Sequence, residues 1–311
     1  MDLRKPIDAS AAASMVVLCA LWGTQQVAIK LAAPDMAPLF QVGLRSGVAA
    51  LLVLFVVFAR REHRAIGGEA WRPGLLAGVL FGLEFVLFAQ GLLFTSASHM
   101  SIFLYTAPIF AALGLHFSLV EERLALVQWI GIAVAFAGIV LTFSGRGGAT
   151  TGDTTWIGDL LGIAAGAVWG ATTVVVRTSR LSRAPAAVTL WYQLMGACMF
   201  ALVSALALGE TQATVTATLL ASLAYQTVIL SAASYLAWFS LMRVYLASRL
   251  GVLSLMTPVF GIGFGIIVLG DDLTTEFVGG TALILLGIVL VSVRDLLVRR
   301  MERSPVTALS R

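Results

Sequence analysis

Glu84 is the only acidic residue deep inside an apolar block of this chain, and it shares a stripe at helical spacing with Phe81, Phe85 and Phe88. A carboxylate at such a depth costs about 2.5 to 3.5 kcal/mol on insertion scales unless it is paired, protonated or hydrated. Three kinds of chemistry would account for it: a fixed ion pair with Arg45 or Lys30, a counter-charge for a cationic or amino group, or a proton carrier. Trp22, Gln26 and Lys30 recur every four residues and share a helix face that cannot be left against lipid. Trp22 and Gln26 suit the wall of a cavity, whereas Lys30 can snorkel to the interface. Ser231, Ser234, Tyr235 and Trp238 repeat the aromatic and hydroxyl theme later in the chain, and Trp169 mirrors Trp22. Aromatic faces with a few hydroxyls bind planar ligands by stacking and cations through the ring quadrupole. Interfacial belts also use Trp and Tyr, which is the reading for Trp71, Trp129 and Trp156 at the ends of apolar blocks. Ser98, Ser101 and Tyr105 fall on one side of a further helix. His99, near its end, is read either as a pH-sensing group for proton coupling or as a hydrated interfacial histidine.

The elements that must carry these residues are membrane helices. The chain is 59% hydrophobic and 12% charged over 311 residues, with a mean hydropathy of +0.96, far too apolar for one soluble core. Apolar blocks long enough to cross a bilayer fall at about 13–33, 39–59, 73–94, 99–119, 127–144, 157–176, 187–208, 219–242, 250–269 and 277–293. The first is too long and too polar for a signal peptide and is kept as a helix. Cys19 and Cys198 lie inside apolar blocks and act as small hydrophobes, and no metal, cofactor or nucleic-acid motif is present.

The blocks are duplicated. Ser98, Pro108 and Glu121 map to Ser248, Pro258 and Asp271, each 150 positions later. Trp22 and Gly23 map to Trp169 and Gly170, and the Gly138 to Leu141 run maps to Gly287 to Leu290. This divides the chain into 1–145 and 146–311, with the Gly/Thr-rich linker at the boundary. With a cytosolic N-terminus nearly all arginines fall inside, among them Arg60, Arg72, Arg177, Arg243, Arg249 and Arg294. Both termini are then cytosolic. Five helices per unit invert the second copy, and the basic residues indeed change ends between the copies. Expected, therefore, is an all-α membrane protein of ten transmembrane helices in two inverted five-helix repeats, the architecture of alternating-access transporters. Pro108 and Pro258, central in matching helices, are candidates for gating or for a static kink.

The Trp22, Gly23 and Lys30 pattern, the Ala97, Ser98, Pro108, Phe110, Ala112 and Leu113 pattern ending in Glu121 to Leu124, and their echoes resemble the EamA branch of the drug/metabolite transporter superfamily. The Ser234 to Trp238 segment is similar to that of the YddG-type exporters of aromatic amino acids and methyl viologen. The resemblance implies a ten-helix basket of the inner membrane that exports small metabolites without ATP, in agreement with the lack of a nucleotide-binding motif. The residues expected at the substrate are Trp22, Gln26, Glu84, Phe85, Phe88 and Ser101, with Tyr105, Trp169, Ser234, Tyr235 and Trp238 opposite. Glu84 and His99 are the candidates for proton coupling, and the protein is expected as a monomer or weak oligomer. A channel-like facilitator and an integral-membrane enzyme are the alternatives, the latter without any catalytic motif at membrane depth.

Overall fold

The computed structural model describes residues 8–120, 123–144, 154–245, 250 and 253–301. The junction expected at 145/146 lies outside the described residues, as do Glu121, Ser248 and Arg249. Among the described residues, seven helices are long and apolar enough to cross a membrane: Ala9–Ala32, Pro38–Ala59, Trp71–Phe94, Ala97–Ser118, Leu126–Phe143, Thr155–Thr178 and Ala186–Leu208. Shorter apolar helices follow at Ala217–Ala233, Ser254–Leu269 and Thr275–Val291. The only extended pairing among the described residues is an isolated bridge between Met36 and Ala213. Large apolar side chains such as Phe55, Phe117 and Ile267 remain exposed, as a hydrocarbon environment permits. Trp71, Trp129 and Trp156 are exposed as well, in keeping with a belt role.

Several helices are broken where a single run was expected. The first consists of α1 (Ala9–Gly23) and α2 (Gln25–Ala32), separated at Thr24. Next come α3 (Pro38–Ala59) and α4 (Trp71–Phe94), then α5 (Ala97–Leu104) and α6 (Ala107–Ser118), parted at Tyr105 and Thr106. Further on, α7 (Leu126–Ser144), α8 (Thr155–Thr178) and α9 (Ala186–Leu208) are continuous. After α10 (Ala217–Ala224), a π-helical segment (Tyr225–Ala233) leads into α11 (Ser234–Val244). A break at Leu255 and Met256, 150 positions after the first, precedes α12 (Thr257–Phe264) and a second π-helical segment, Gly265–Leu269. The last helix, α13 (Thr275–Met301), runs beyond the expected 277–293.

Pro108 and Pro258 each stand in the first turn of the helix after the break. The expectation of a proline inside one bent helix is corrected here. In a first turn the missing N–H has no intrahelical acceptor to lose, so proline fits without disrupting a helix.

Glycines set the helix crossings. In α7 and α13, Gly131 meets the carbonyl of Gly287, and Gly138 meets that of Gly280, so this pair is antiparallel and in close backbone contact. Gly78 and Gly196 bring α4 and α9 together in the same manner. A reciprocal exchange joins the rest. Gly23 of α1 packs on Phe260 and Gly261 of α12, while Gly170 of α8 packs on Phe110 and Ala111 of α6.

Two acidic residues add a matching pair of polar ties. Asp8 caps α1 through the Ala11 N–H and accepts the Tyr245 hydroxyl at 2.8 Å. Asp159, in the first turns of α8, accepts the Thr95 hydroxyl. Tyr245 lies 150 positions after Thr95, and each ends the helix preceding a broken one.

Candidate substrate-binding cavity

The breaks and crossings leave a cavity of about 290 Å³ near the middle of the helices. Trp22, Gln25 and Gln26 line it from α1 and α2, and Phe81, Glu84, Phe85 and Phe88 from α4. Leu104 and Tyr105 come from the first break, Trp169 from α8, Gln193 from α9, Tyr235 and Trp238 from α11, and Ser254 from the second broken helix. Helical spacing explains the α4 face, where Phe81, Phe85 and Phe88 are edge-on neighbours at 4.9 and 5.7 Å.

The aromatic walls are built across the two halves of the chain. Trp22 packs edge-on against Trp238 at 5.5 Å and lies 6.4 Å from Tyr235, while Tyr105 meets Trp169 edge-on at 5.4 Å. The Trp22 indole N–H donates to the Ser234 hydroxyl at 2.9 Å, and that hydroxyl donates to the Leu230 carbonyl at 2.5 Å. Ser234 therefore stands behind the wall and fixes its tryptophan.

A buried polar seam backs the break at Thr24. The Thr24 hydroxyl donates to the Leu21 carbonyl, so the Tyr225 hydroxyl, 2.6 Å away, acts as donor to Thr24. Gln226 donates to Gln41 at 3.0 Å and to Ser222 at 2.9 Å. Gln41 in turn donates to the Ile29 and Met36 carbonyls. These bonds bind the π-helical segment to α2 and α3 where regular helix bonds are lost.

Glu84 is buried, and its Oε2 has no hydrogen-bond partner. Neither Arg45 nor Lys30 forms an ion pair with it among the described residues, so the fixed pair considered from sequence is not present. Gln26 is also buried, with Oε1 unpartnered. The cavity thus combines eight aromatic side chains with a carboxylate oxygen and one amide oxygen that lack donors, an arrangement able to take a flat ligand bearing a cationic or N–H end.

Of the residues expected from sequence, nine line this cavity: Trp22, Gln26, Glu84, Phe85, Phe88, Tyr105, Trp169, Tyr235 and Trp238. Ser101 does not, because its hydroxyl donates to the Ala97 carbonyl and packs on Gly261. Ser98 likewise turns away, donating its N–H and hydroxyl to Asp271 at 2.9 and 2.8 Å. His99 is also elsewhere. Its Nδ1 lies 3.0 Å from the fully buried Asp159 carboxylate, and its ring stacks on Phe277 at 4.1 Å. It is neither a lone interfacial histidine nor a cavity group. Gln25, Leu104, Gln193 and Ser254 were missed. Gln25 and Gln193 carried a legible signal, an amide side chain within the apolar blocks 13–33 and 187–208.

A lipid-compatible chain whose described residues form helices around an aromatic and polar cavity has the form of a membrane transporter. The chain belongs to the EamA-like transporter family, whose model matches residues 9–144 and again residues 156–293. Members of this family are transporters, not enzymes. The chain is 25% identical over 269 residues to the uncharacterized transporter YoaV of Bacillus subtilis, covering 86% of this chain and 91% of that one. It is 26% identical over 296 residues to a probable amino-acid metabolite efflux pump of Salmonella typhimurium, covering 93% and 96%. A solved crystal structure at 21% identity shares the fold, with a TM-score of 0.64 over 95% of this chain and 100% of the other.

Proposed function

We propose that the protein is an inner-membrane secondary transporter that exports small amphipathic metabolites, aromatic amino acids foremost and methyl viologen-like cations as further cargo. The observation that carries this is the cavity itself, lined by Trp22, Tyr105, Trp169, Tyr235 and Trp238 and holding an unpaired Glu84 carboxylate. The amino-acid efflux named for the Salmonella relative and the YddG-like Ser234 to Trp238 segment favour the same cargo. In this reading the nine lining residues selected from sequence form the site, Ser234 backs it through Trp22, and Glu84 is the counter-charge.

Two inverted five-helix repeats, ten helices in all, with both termini cytosolic, are the mechanism's frame. Three observations support it: the family model matches twice, the breaks recur 150 positions apart, and equivalent glycines of α7 and α13 pair antiparallel. Equivalent helices that run in opposite directions are what an inverted repeat requires.

Proteoliposomes containing the pure protein are expected to take up labelled phenylalanine or methyl viologen and to accelerate uptake when loaded with unlabelled substrate. Uptake of neither would overturn the cargo, and uptake without acceleration would favour a channel-like facilitator. Replacing Glu84 with Gln is expected to abolish uptake of the cation. If uptake instead persists but loses its dependence on a proton gradient, Glu84 is a proton carrier rather than a counter-charge.

A further inference from the structure

Arg45 of α3 is 3% exposed, and its Nε and Nη1 have no hydrogen-bond partner. Its guanidinium carbon lies 5.1 Å from the centre of the Phe85 ring. Phe85 in turn lines the cavity beside Glu84, whereas Arg45 is absent from the lining. An aromatic ring of the cavity wall therefore covers an unpaired cation, next to a cavity that contains an unpaired anion. A guanidinium is held fully charged in proteins and presents a planar fork matched to carboxylates. Stacking on an aromatic face only partly replaces the water and hydrogen bonds that burial removes. Such a pair of separated, unsatisfied charges is complementary to a ligand that is itself doubly charged and neutral overall.

We propose that Arg45 is the carboxylate anchor for a zwitterionic α-amino acid, that the Phe85 ring swings aside to admit the carboxylate, and that Glu84 with Gln26 Oε1 receives the ammonium. The inference rests on the transport reading above and gives it a chemical selectivity: both ends of the amino acid are read, each by a buried group with polar atoms that have no partner among the described residues. Phe85 acts as a shutter. It covers the guanidinium with its ring quadrupole when no substrate is present and yields when a carboxylate offers stronger, charge-assisted hydrogen bonds. The aromatic side chain of the substrate then lies against the Trp22 and Trp169 walls.

Three probes separate the two charges: L-phenylalanine, phenethylamine without the carboxylate, and 3-phenylpropionate without the ammonium. In counterflow assays the wild-type protein is expected to carry phenylalanine best. Arg45→Gln is expected to lower phenylalanine counterflow by at least about tenfold while phenethylamine changes by less than about twofold, the pattern of a lost charged contact. Arg45→Lys, which keeps a point charge without the fork, is expected to retain part of the phenylalanine rate. Equal losses for phenylalanine and phenethylamine, or no loss for either, would overturn the Arg45 assignment and leave the transport reading intact. If the wild-type protein carries none of the three probes, the amino-acid reading itself fails and takes this assignment with it. Should Arg45→Gln not fold, the wild-type protein still decides the matter. Phenylglyoxal labelling of Arg45, followed by mass spectrometry, is expected to be slowed by phenylalanine and not by phenethylamine, and faster in Phe85→Ala. Equal slowing by both ligands would contradict the assignment.

Discussion

The two broken helices, α5 with α6 and the 253–269 segment, share a break at the same place and differ in what the break is used for. Both leave a helix at matching residues, Tyr105 and Leu255, and both restart with a proline in the first turn. In the first copy the residue at the break reaches the cavity and meets Trp169. In the second copy Leu255 packs into the apolar cluster around Ile102, Phe103 and Ile284. After the break, α6 remains α-helical to Ser118, whereas α12 passes into a π-helical turn, closes at Gly270 with φ of 69° and offers Asp271 to Ser98. The backbone device is common to both copies, while only the first places the residue of its break at the cavity. A duplicated scaffold can therefore acquire a directional, asymmetric site without changing its path through the membrane.

The most severe test of this equivalence is at the reciprocal crossings. Gly23→Leu and Gly170→Leu would each force a side chain into the backbone of the facing helix, at a cost of about 3 kcal/mol or more, and both are expected to abolish monodisperse protein in size-exclusion chromatography. Tolerance at one site only would break the symmetry of the crossings. Exchanging the residues at the breaks is expected to have unequal effects. Tyr105→Leu should reduce uptake of aromatic substrates by about tenfold or more with little change in melting, through loss of a stacking partner. Leu255→Tyr should instead lower the melting temperature, as overpacking by about 1 to 3 kcal/mol predicts, and leave KM unaltered.

A smaller effect is expected at the floor of each crossing. Gly261→Ala would bring a methyl against Ser101 and is expected to destabilise by about 1 kcal/mol or more, whereas Ala111→Gly, the reverse change at the mirror position, leaves its contacts with Gly170 unobstructed. Trp22→Phe loses the hydrogen bond to Ser234, worth about 0.5 to 1.5 kcal/mol. Trp169→Phe is expected to cost less stability, since its indole N–H makes no hydrogen bond among the described residues; thermal unfolding of both variants in detergent checks the order.

The smallest effect belongs to the exposed tie at Asp8. The Ala11 N–H, the Ser10 hydroxyl and the Tyr245 hydroxyl hold its carboxyl down to about 2. A carboxyl lowered in the folded state stabilises above its unfolded value, near 3.9, and loses that contribution as pH falls toward 2. A melting series from pH 7 to pH 4 is thus expected to be the same for wild type and Asp8→Asn in slope, with any difference shrinking only below about pH 4. Convergence at neutral pH would remove Asp8 from the set of matched ties.

Much of this was legible in the chain. Length and hydropathy place the first seven helices to within a few residues of where they are found, whereas the last runs eight residues past its expected end, and the fixed offset between Pro108 and Pro258 marks equivalent positions. Nine cavity residues were found because a polar or aromatic side chain at membrane depth must face protein or water. The misses arose where local periodicity fails. Ser98 and Ser101 lie on the helix that ends at Tyr105, but their hydroxyls are taken by Asp271 and by the Ala97 carbonyl, partners that spacing does not reveal. Asp159 stands at the start of the block 157–176, and its pairing with His99 from a distant part of the chain has no sequence signal. The π-helical segments at Tyr225–Ala233 and Gly265–Leu269 left none either.

The reciprocal packing of Gly23 on α12 and Gly170 on α6 also bears on how the molecule comes to exist. Neither half completes its own interior, because the helix that covers each crossing is supplied by the other. During synthesis the first half must wait in the bilayer with Gly23 and Thr95 uncovered until the second half has been inserted. Conversely, two separately made halves carry complementary faces, so such a protein is suited to reassembly from fragments cut between them.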